Sequence, residues 1–300
     1  MVPRAINHTV SFMAGRAASR PFSFPRDSHF VLNSLMAKDS GIVALLTDYG
    51  LQDPYAGVMK GAILSVNPVA RIVDLTHNVP PQDIREASRI LSASRSYFPK
   101  GTIFVAVVDP GVGTDRAILA VETDRHIFLA PDNGLLGFLD RTGSIRRIVQ
   151  VRESRYFLKP VSKTFHGRDI FAPVAGHLSR GVDLARLGPS VNRMTTGESS
   201  APRATAKGGL EGEIVSIDRF GNLITNIPGE LLPDARDVRI TVGRRIVQTL
   251  SRSYADAKKG ALLALVGSTG HLEISVNHGS AHAAARIQRG DRVLVTRSSR

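Results

Sequence analysis

The sequence predicts an α/β N-terminal domain with a mainly parallel sheet covered by helices, followed by a smaller C-terminal β-barrel domain. Three observations carry this. From Gly41 onward, short apolar runs bounded by turn residues alternate with helical stretches, the rhythm of parallel strands joined by helical crossovers. A Ser-, Thr-, Ala-, Gly- and Pro-rich stretch from Pro189 to Gly209 breaks that rhythm, as a linker does. Beyond it come short strand-like segments separated by Gly-, Pro- or Asp-bearing turns, the pattern of a small barrel. The resulting division is a disordered extension over 1–40, an α/β domain over 41–190, a linker over 191–209 and a β-barrel domain over 210–300.

Ile42-Val43-Ala44-Leu45-Leu46 is a continuous apolar run, read as a strand buried on both faces. A helix follows over Tyr55–Val66, with Val58, Ile63 and Leu64 able to share one face, and it stops at Asn67-Pro68. Arg71–Leu75 is the next strand and Asp83–Phe98 the next helix, with Asp83 near its start. Thr102–Val108 is the cleanest strand of the chain. In the C-terminal part, strands are expected at 213–217, 223–227, 238–242, 262–266, 271–276 and 292–296, with a short helix near 253–259.

Bulk properties exclude several classes. No apolar run approaches the ~18–20 residues that a membrane-spanning helix needs. The chain has no cysteine, which removes disulfides, thiolate metal sites and cysteine nucleophiles and is compatible with a reducing cytoplasm. The net charge of +13 is spread among apolar residues without a basic run, and there is no tryptophan. That distribution favours a solvated basic surface over nucleic-acid binding. Residues 1–35 carry Arg4, Arg16, Arg20 and Arg26 against the single acid Asp27. They lack the apolar core of a secretory signal, and Met36 offers an alternative start just before the first strand.

In an open α/β sheet, ligands bind beyond the carboxyl ends of the strands. Asp48, Asp74 and Asp109 all fall there. Asp109 opens Asp109-Pro110-Gly111-Val112-Gly113-Thr114, followed by Arg116, which could fold back and hold its carboxylate ionised. The loop lacks the Gly-Lys-Ser/Thr ending of a Walker phosphate loop and is not a dinucleotide fingerprint; a structural turn with a local ion pair remains the plain alternative. His166 precedes a predicted helix within Thr164-Phe165-His166-Gly167-Arg168-Asp169, and Asp74-Leu75-Thr76-His77 is similarly polar. Asp48, Asp74, His77, Asp109 and His166 together could suggest a metal site, but none stands in a ligand spacing. Three polar, glycine-bearing loops, Asp218–Asn222, Gly267–Gly270 and Asn277–Ser280, suggest that one end of the barrel binds something polar.

Taken in order, these loops and Pro131-Asp132-Asn133-Gly134-Leu135 resemble the S-adenosylmethionine hydroxide adenosyltransferases, relatives of fluorinase and chlorinase enzymes. The resemblance spans about Gly41 to Val295. It implies hydrolysis of S-adenosylmethionine to adenosine and methionine, and a homotrimer with substrate held between subunits. It further implies that Asp109, Arg116 and His166 hold and polarise water. Asp48 would bind the ribose hydroxyls, Asp218 and Ser268 the methionine end, Asn222 and Asn277 the nucleoside, and Tyr254 the adenine ring. No metal or other cofactor is implied, because a positively charged sulfonium leaves as a neutral thioether. The alternatives are a chloride-using homologue and a non-catalytic binder of S-adenosylmethionine.

Overall fold

A computed structural model describes residues 41–197, 201–206, 208–234 and 237–297. The expected extension over 1–40, the alternative start at Met36 and part of the expected linker lie outside these residues. Six strands build the first sheet: β1 (Ile42–Thr47), β2 (Arg71–Thr76), β3 (Ile103–Val107), β4 (Ile118–Thr123), β5 (Ile127–Pro131) and β6 (Ile145–Gln150). Their order is β2-β1-β3-β5-β4-β6. β2, β1, β3 and β5 run parallel, whereas β4 is antiparallel to both β5 and β6.

The sheet is therefore mixed, and the chemistry of one turn explains why. β4 and β5 are joined through Asp124-Arg125, closed by the Thr123 amide donating to the His126 carbonyl at 2.9 Å. A connection that short can join only antiparallel neighbours.

Helices cover both faces. α1 (Tyr55–Val66) and α3 (Ala172–Ser179) lie on one face, where Met59, Ile63, Val174 and Leu178 pack against Val43, Leu45 and Val105. α2 (Ile84–Ser94) lies on the other, where Ala87 and Leu91 meet Ala44, Leu46, Phe104 and Phe128. The period-2 alternation of β1 and β3 thus serves two cores at once, each fully buried aliphatic side chain contributing about 1.5–3 kcal/mol. The expected face of α1 needs correction. Its buried residues are Ala56, Met59, Ala62 and Ile63, while Val58 and Leu64 are 38% and 39% exposed. Val58 precedes Met59 and Leu64 follows Ile63, so at ~100° per residue they fall on the flanks of the buried stripe.

After β7 (Arg203–Ala204) come β8 (Leu210–Ile217), β9 (Leu223–Pro228), β10 (Val238–Val242), β11 (Arg245–Val247), β12 (Leu262–Val266), β13 (His271–Val276), the short α4 (Ala281–Ala285) and β14 (Arg292–Arg297). They form an antiparallel sheet ordered β11-β10-β14-β8-β9-β13-β12. A bridge between Leu250, just past β11, and Ala264 of β12 draws its two edges together, making a nearly closed, barrel-like body. Its interior is filled by Ile214, Ile227, Ile240, Leu272, Ile274 and Val293. The expected short helix near 253–259 is a single 3-10 turn, Tyr254–Asp256.

Both sheets belong to one compact unit. Asp83 caps α2 by accepting from the Glu86 amide at 2.9 Å and also pairs with Arg289. Glu86, 8% exposed, accepts from the Ser216 hydroxyl at 3.0 Å and pairs with Arg89. The first turn of α2 is thereby fastened to the C-terminal sheet.

Candidate active site

The carboxyl end of β3 is held from outside. Asn133 donates its side-chain amide to the Val108 carbonyl at 2.9 Å, and Asp132 accepts from the Thr195 amide at 2.6 Å. The Pro131–Leu135 motif thus fixes both the strand end before Asp109 and the segment leaving the α/β sheet. From Asp109 the chain makes two tight turns, Val112 N–H to the Asp109 carbonyl (3.2 Å) and Thr114 N–H to the Gly111 carbonyl (3.1 Å). Gly113 has φ +80°, and a Cβ there would run into the Lys163 carbonyl. Glycine therefore lets this loop lie directly against the segment that carries His166.

The turns bring Arg116 back onto Asp109. Its Nε donates to Oδ1 at 2.9 Å and Oδ2 at 2.8 Å, and Nη2 also donates to Oδ2. The same Nη2 lies 2.9 Å from His166 Nδ1. The Asp109 and Arg116 side chains are only 4% and 11% exposed. A guanidinium has donors and no acceptor, so His166 Nδ1 must accept. A neutral imidazole then carries its proton on Nε2. Burial, and next the Arg116 charge, hold the His166 pKa below its ordinary 6.5, against an opposing pull from Asp109 and Asp169.

His166 caps a π-helical turn, Gly167–Phe171, that runs into α3. Asp169, 1% exposed, accepts from the Ser162 amide at 2.8 Å and pairs with Arg168 at 2.6 Å, which fixes the loop in front of His166. Gly167 leaves room for the Tyr49 hydroxyl, which a Cβ would strike. Tyr49, Tyr55 and Phe165 form an edge-to-face trio with centroids 5.1–5.9 Å apart. Burial, then the charges of Asp48 and Asp109, push the Tyr49 phenol up, so it stays protonated. Tyr49 is part of Thr47-Asp48-Tyr49-Gly50, but nothing in that pattern brings its ring against Tyr55 and Phe165 or its hydroxyl against Gly167. Asp48 accepts from the Gln82 amide at 2.9 Å, Gln82 itself holding φ 64°.

The five residues weighed as a metal cluster are not gathered. His77 engages Thr47 at 2.8 Å and Asp74 at 3.1 Å, and Asp74 also holds Lys60 at 2.6 Å. Asp109 and His166 instead share Arg116. Among the described residues no group of three or more His, Asp and Glu is arranged to hold a metal ion.

The C-terminal candidates form a second set. Asp218 accepts from the Phe220 and Asn222 amides and from the Asn222 side chain, each at 2.9 Å. Gly221 allows this loop to press on Ser280. Asn277 donates to the Ala257 carbonyl at 2.7 Å, holding the turn that bears Tyr254. Tyr254 donates its hydroxyl to Glu273 at 2.7 Å. That bond, then burial and the charges of Glu273 and Asp218, push the phenol up to about 12. Ser268 sits in a tight turn closed by Gly270 N–H to the Gly267 carbonyl at 2.9 Å. Glu273 escaped sequence reading; an acidic residue inside the apolar run Leu272–Val276 was the available signal.

None of these contacts joins the Asp109 set to the Asp218 set. A cleft of about 1020 Å³ between α2 and the C-terminal sheet is lined by Ser268, Thr269 and Asn133 but by no residue of the Asp109 trio.

The chain matches the SAM hydroxide adenosyltransferase N-terminal domain over residues 43–188 and the corresponding C-terminal domain over residues 212–294. This chain belongs to the SAM hydroxide adenosyltransferase family. Among curated relatives, an (R)-S-adenosyl-L-methionine hydrolase of Salinispora tropica is 37% identical, the alignment covering 85% of this chain and 97% of the relative. One of Thermus thermophilus is 39% identical over 83% of this chain and 96% of its own length. A fluorinase of Nocardia brasiliensis is more distant, at 26% identity over 85% of this chain and 96% of the relative. The solved structure of an uncharacterized conserved protein from Thermotoga maritima superposes with a TM-score of 0.80 at 37% identity, covering 85% of this chain and all of that one. Within the adenosyltransferase family, the hydrolases thus stand nearer to this chain than the halogenating relative does.

Proposed function

We propose that this protein hydrolyses S-adenosyl-L-methionine by attack of water or hydroxide at carbon 5′, releasing adenosine and L-methionine. The observation that carries the reading is the Asp109–Arg116–His166 contact set at the end of β3. These polar groups suit an oriented water better than a desolvated halide. His166 Nε2–H donates to the water oxygen, and the Asp109 carboxylate accepts one of its protons, aligning the remaining lone pair with carbon 5′. Arg116 holds the Asp109 carboxylate in place and fixes the imidazole tautomer. The carbon–sulfur bond breaks as the carbon–oxygen bond forms; the sulfonium takes the electron pair and leaves as neutral methionine thioether. No acid, metal or other cofactor is needed to expel it.

Asp48 holds the ribose hydroxyls. Asp218 and Ser268 hold the methionine end, Asn222 and Asn277 position the nucleoside, and Tyr254 covers adenine. The family resemblance implies a homotrimer with substrate between subunits, and no contact described above joins the two sets within one chain; we therefore assign the complete site to such an interface, the α/β domain (41–190) of one subunit facing the β-barrel domain (210–300) of the next. No helix among the described residues is long and apolar enough to cross a membrane. A cysteine-free chain acting on this metabolite fits the cytoplasm.

The test is to incubate the purified protein with S-adenosylmethionine in chloride buffer and identify products by mass spectrometry. Adenosine plus methionine is expected. A 5′-chloronucleoside would overturn the choice of nucleophile, and no turnover with tight binding would make the protein a sensor. Substrate chirally labelled at carbon 5′ should show inversion; retention would demand a covalent intermediate.

A further inference from the structure

Glu273 is a buried carboxylate at the centre of the C-terminal half-site. It lies in β13, between β9 and β12, and is 6% exposed. Strand alternation places it and Ser275 on the face opposite Leu272 and Ile274, which fill the barrel interior. A carboxylate taken out of water is costly unless its oxygens are satisfied by hydrogen bonds. One oxygen, Oε1, accepts from the Tyr254 hydroxyl at 2.7 Å and from the Ser275 hydroxyl at 2.8 Å. The other, Oε2, lies beneath Gly267, where a Cβ would sit 2.5 Å from it.

These contacts touch both substrate-facing elements of the half-site. Tyr254 stands on a one-turn element capped by Ser253 and Asp256, with 44% of its surface exposed. Its hydroxyl ties an otherwise half-open ring to the sheet. Gly267 begins the turn that presents Ser268, and the missing Cβ lets that turn rest on the Glu273 carboxylate. The geometry points to Glu273 as a positioning residue that fixes the Tyr254 ring and the Ser268 turn relative to each other, setting affinity for S-adenosylmethionine rather than the rate of its hydrolysis. This rests on the substrate roles proposed above for Tyr254 and Ser268.

The experiment is steady-state kinetics on the full chain for Tyr254→Phe, Glu273→Ala, Glu273→Gln and the double variant Tyr254→Phe/Glu273→Ala, with thermal melts to confirm folding. Removing a hydrogen bond to a carboxylate should raise KM roughly tenfold in Tyr254→Phe and in Glu273→Ala, with kcat held within about twofold. Glu273→Gln keeps an oxygen able to accept the phenol proton and should restore KM to within about threefold of the parent. The double variant should be no worse than Glu273→Ala alone, because that variant already removes the Tyr254 link. Effects that multiply in the double variant overturn the proposal. So does a Glu273→Ala variant that loses kcat as strongly as it gains KM, or that matches the parent in both. If Glu273→Ala does not fold, Tyr254→Phe decides: an unchanged KM overturns the link. Tyr254→Ala tests the underlying reading separately. An unchanged KM there removes Tyr254 from the substrate site, whereas a raised KM beside a parent-like Glu273→Ala refutes the role of Glu273 alone.

Discussion

At His166 the tautomer is dictated by a neighbour. Arg116 can only donate, so Nδ1 accepts and the neutral ring presents Nε2–H outward. Protonating Nδ1 would set two donors against each other, in keeping with a pKa lowered by burial and by the Arg116 charge. The neutral form is the working one. Activity should therefore persist as pH falls through ~6.5 and drop only below it. Arg116→Gln removes the positive charge, so the acid limb of kcat/KM should move upward in pH; an unmoved limb would detach Arg116 from His166 electrostatically. Asp109→Ala should reduce kcat by about 10²–10⁴ while adenosine binding, read by calorimetry, stays near the parent value. Full activity in that variant would refute the mechanism. A different histidine should govern acid stability. His126 is 3% exposed among Phe104 and Phe128, its pKa lowered to about 4 by burial and then by Arg125. The unfolded chain takes up that proton near pH ~6.5 and the folded one near 4, so stability should fall across that window and level off below it. Denaturant midpoints at pH 7 and 5 should differ less in His126→Phe than in the parent.

The elements that shape the site do so through close backbone approach. Gly113 combines φ +80° with contact on the Lys163 carbonyl, joining the Asp109 loop to the His166 segment. Gly113→Ala should add about 1–3 kcal/mol of strain and lower kcat at least about tenfold, since a shift of about 1 Å misaligns the water. Melting curves and kinetics together would check this; an unaffected kcat would show that the two segments need not touch. The helical pattern of α2, with Asp83 near its start, was legible in the sequence because capping residues act locally; that Asp83 accepts from the Glu86 amide is a finding of the structure. The second partner of Asp83, Arg289, stands 206 residues away and left no local trace. Asp83→Ala should therefore cost about 1–2 kcal/mol from the cap alone, and more if the Arg289 contact contributes. The β4–β5 hairpin was missed for another reason: Asp124-Arg125 is not a recognised hairpin dipeptide, so the sheet read as mainly parallel.

For the whole molecule, the separation of the Asp109 and Asp218 sets within one chain has a direct consequence. Asp109→Ala and Tyr254→Ala should each be impaired, yet co-assembled trimers of the two should regain about a quarter of the sites by random pairing of intact halves. Activity recovered in the mixture but not in either variant alone would place the site between subunits. No recovery, or a monomer by light scattering, would refute that assembly.

The sequence by itself determined an α/β part followed by a β-rich part, the strand ends that bear Asp48 and Asp109, and the family; Asp74 instead lies within β2. Periodicity, turn residues and motif order are local properties and survive in one dimension. The loop from Asp109 to Thr114 stood there as a glycine-rich turn with a possible ion partner in Arg116. Only the tertiary structure decided that Arg116 bridges Asp109 to His166, because that contact spans 50 residues and depends on Gly113 packing against Lys163. It likewise separated Asp74 and His77 from the water site, set the Tyr49 hydroxyl against Gly167, and buried Glu273 beside Tyr254. Such contacts are fixed by packing of distant segments, and no local pattern encodes them.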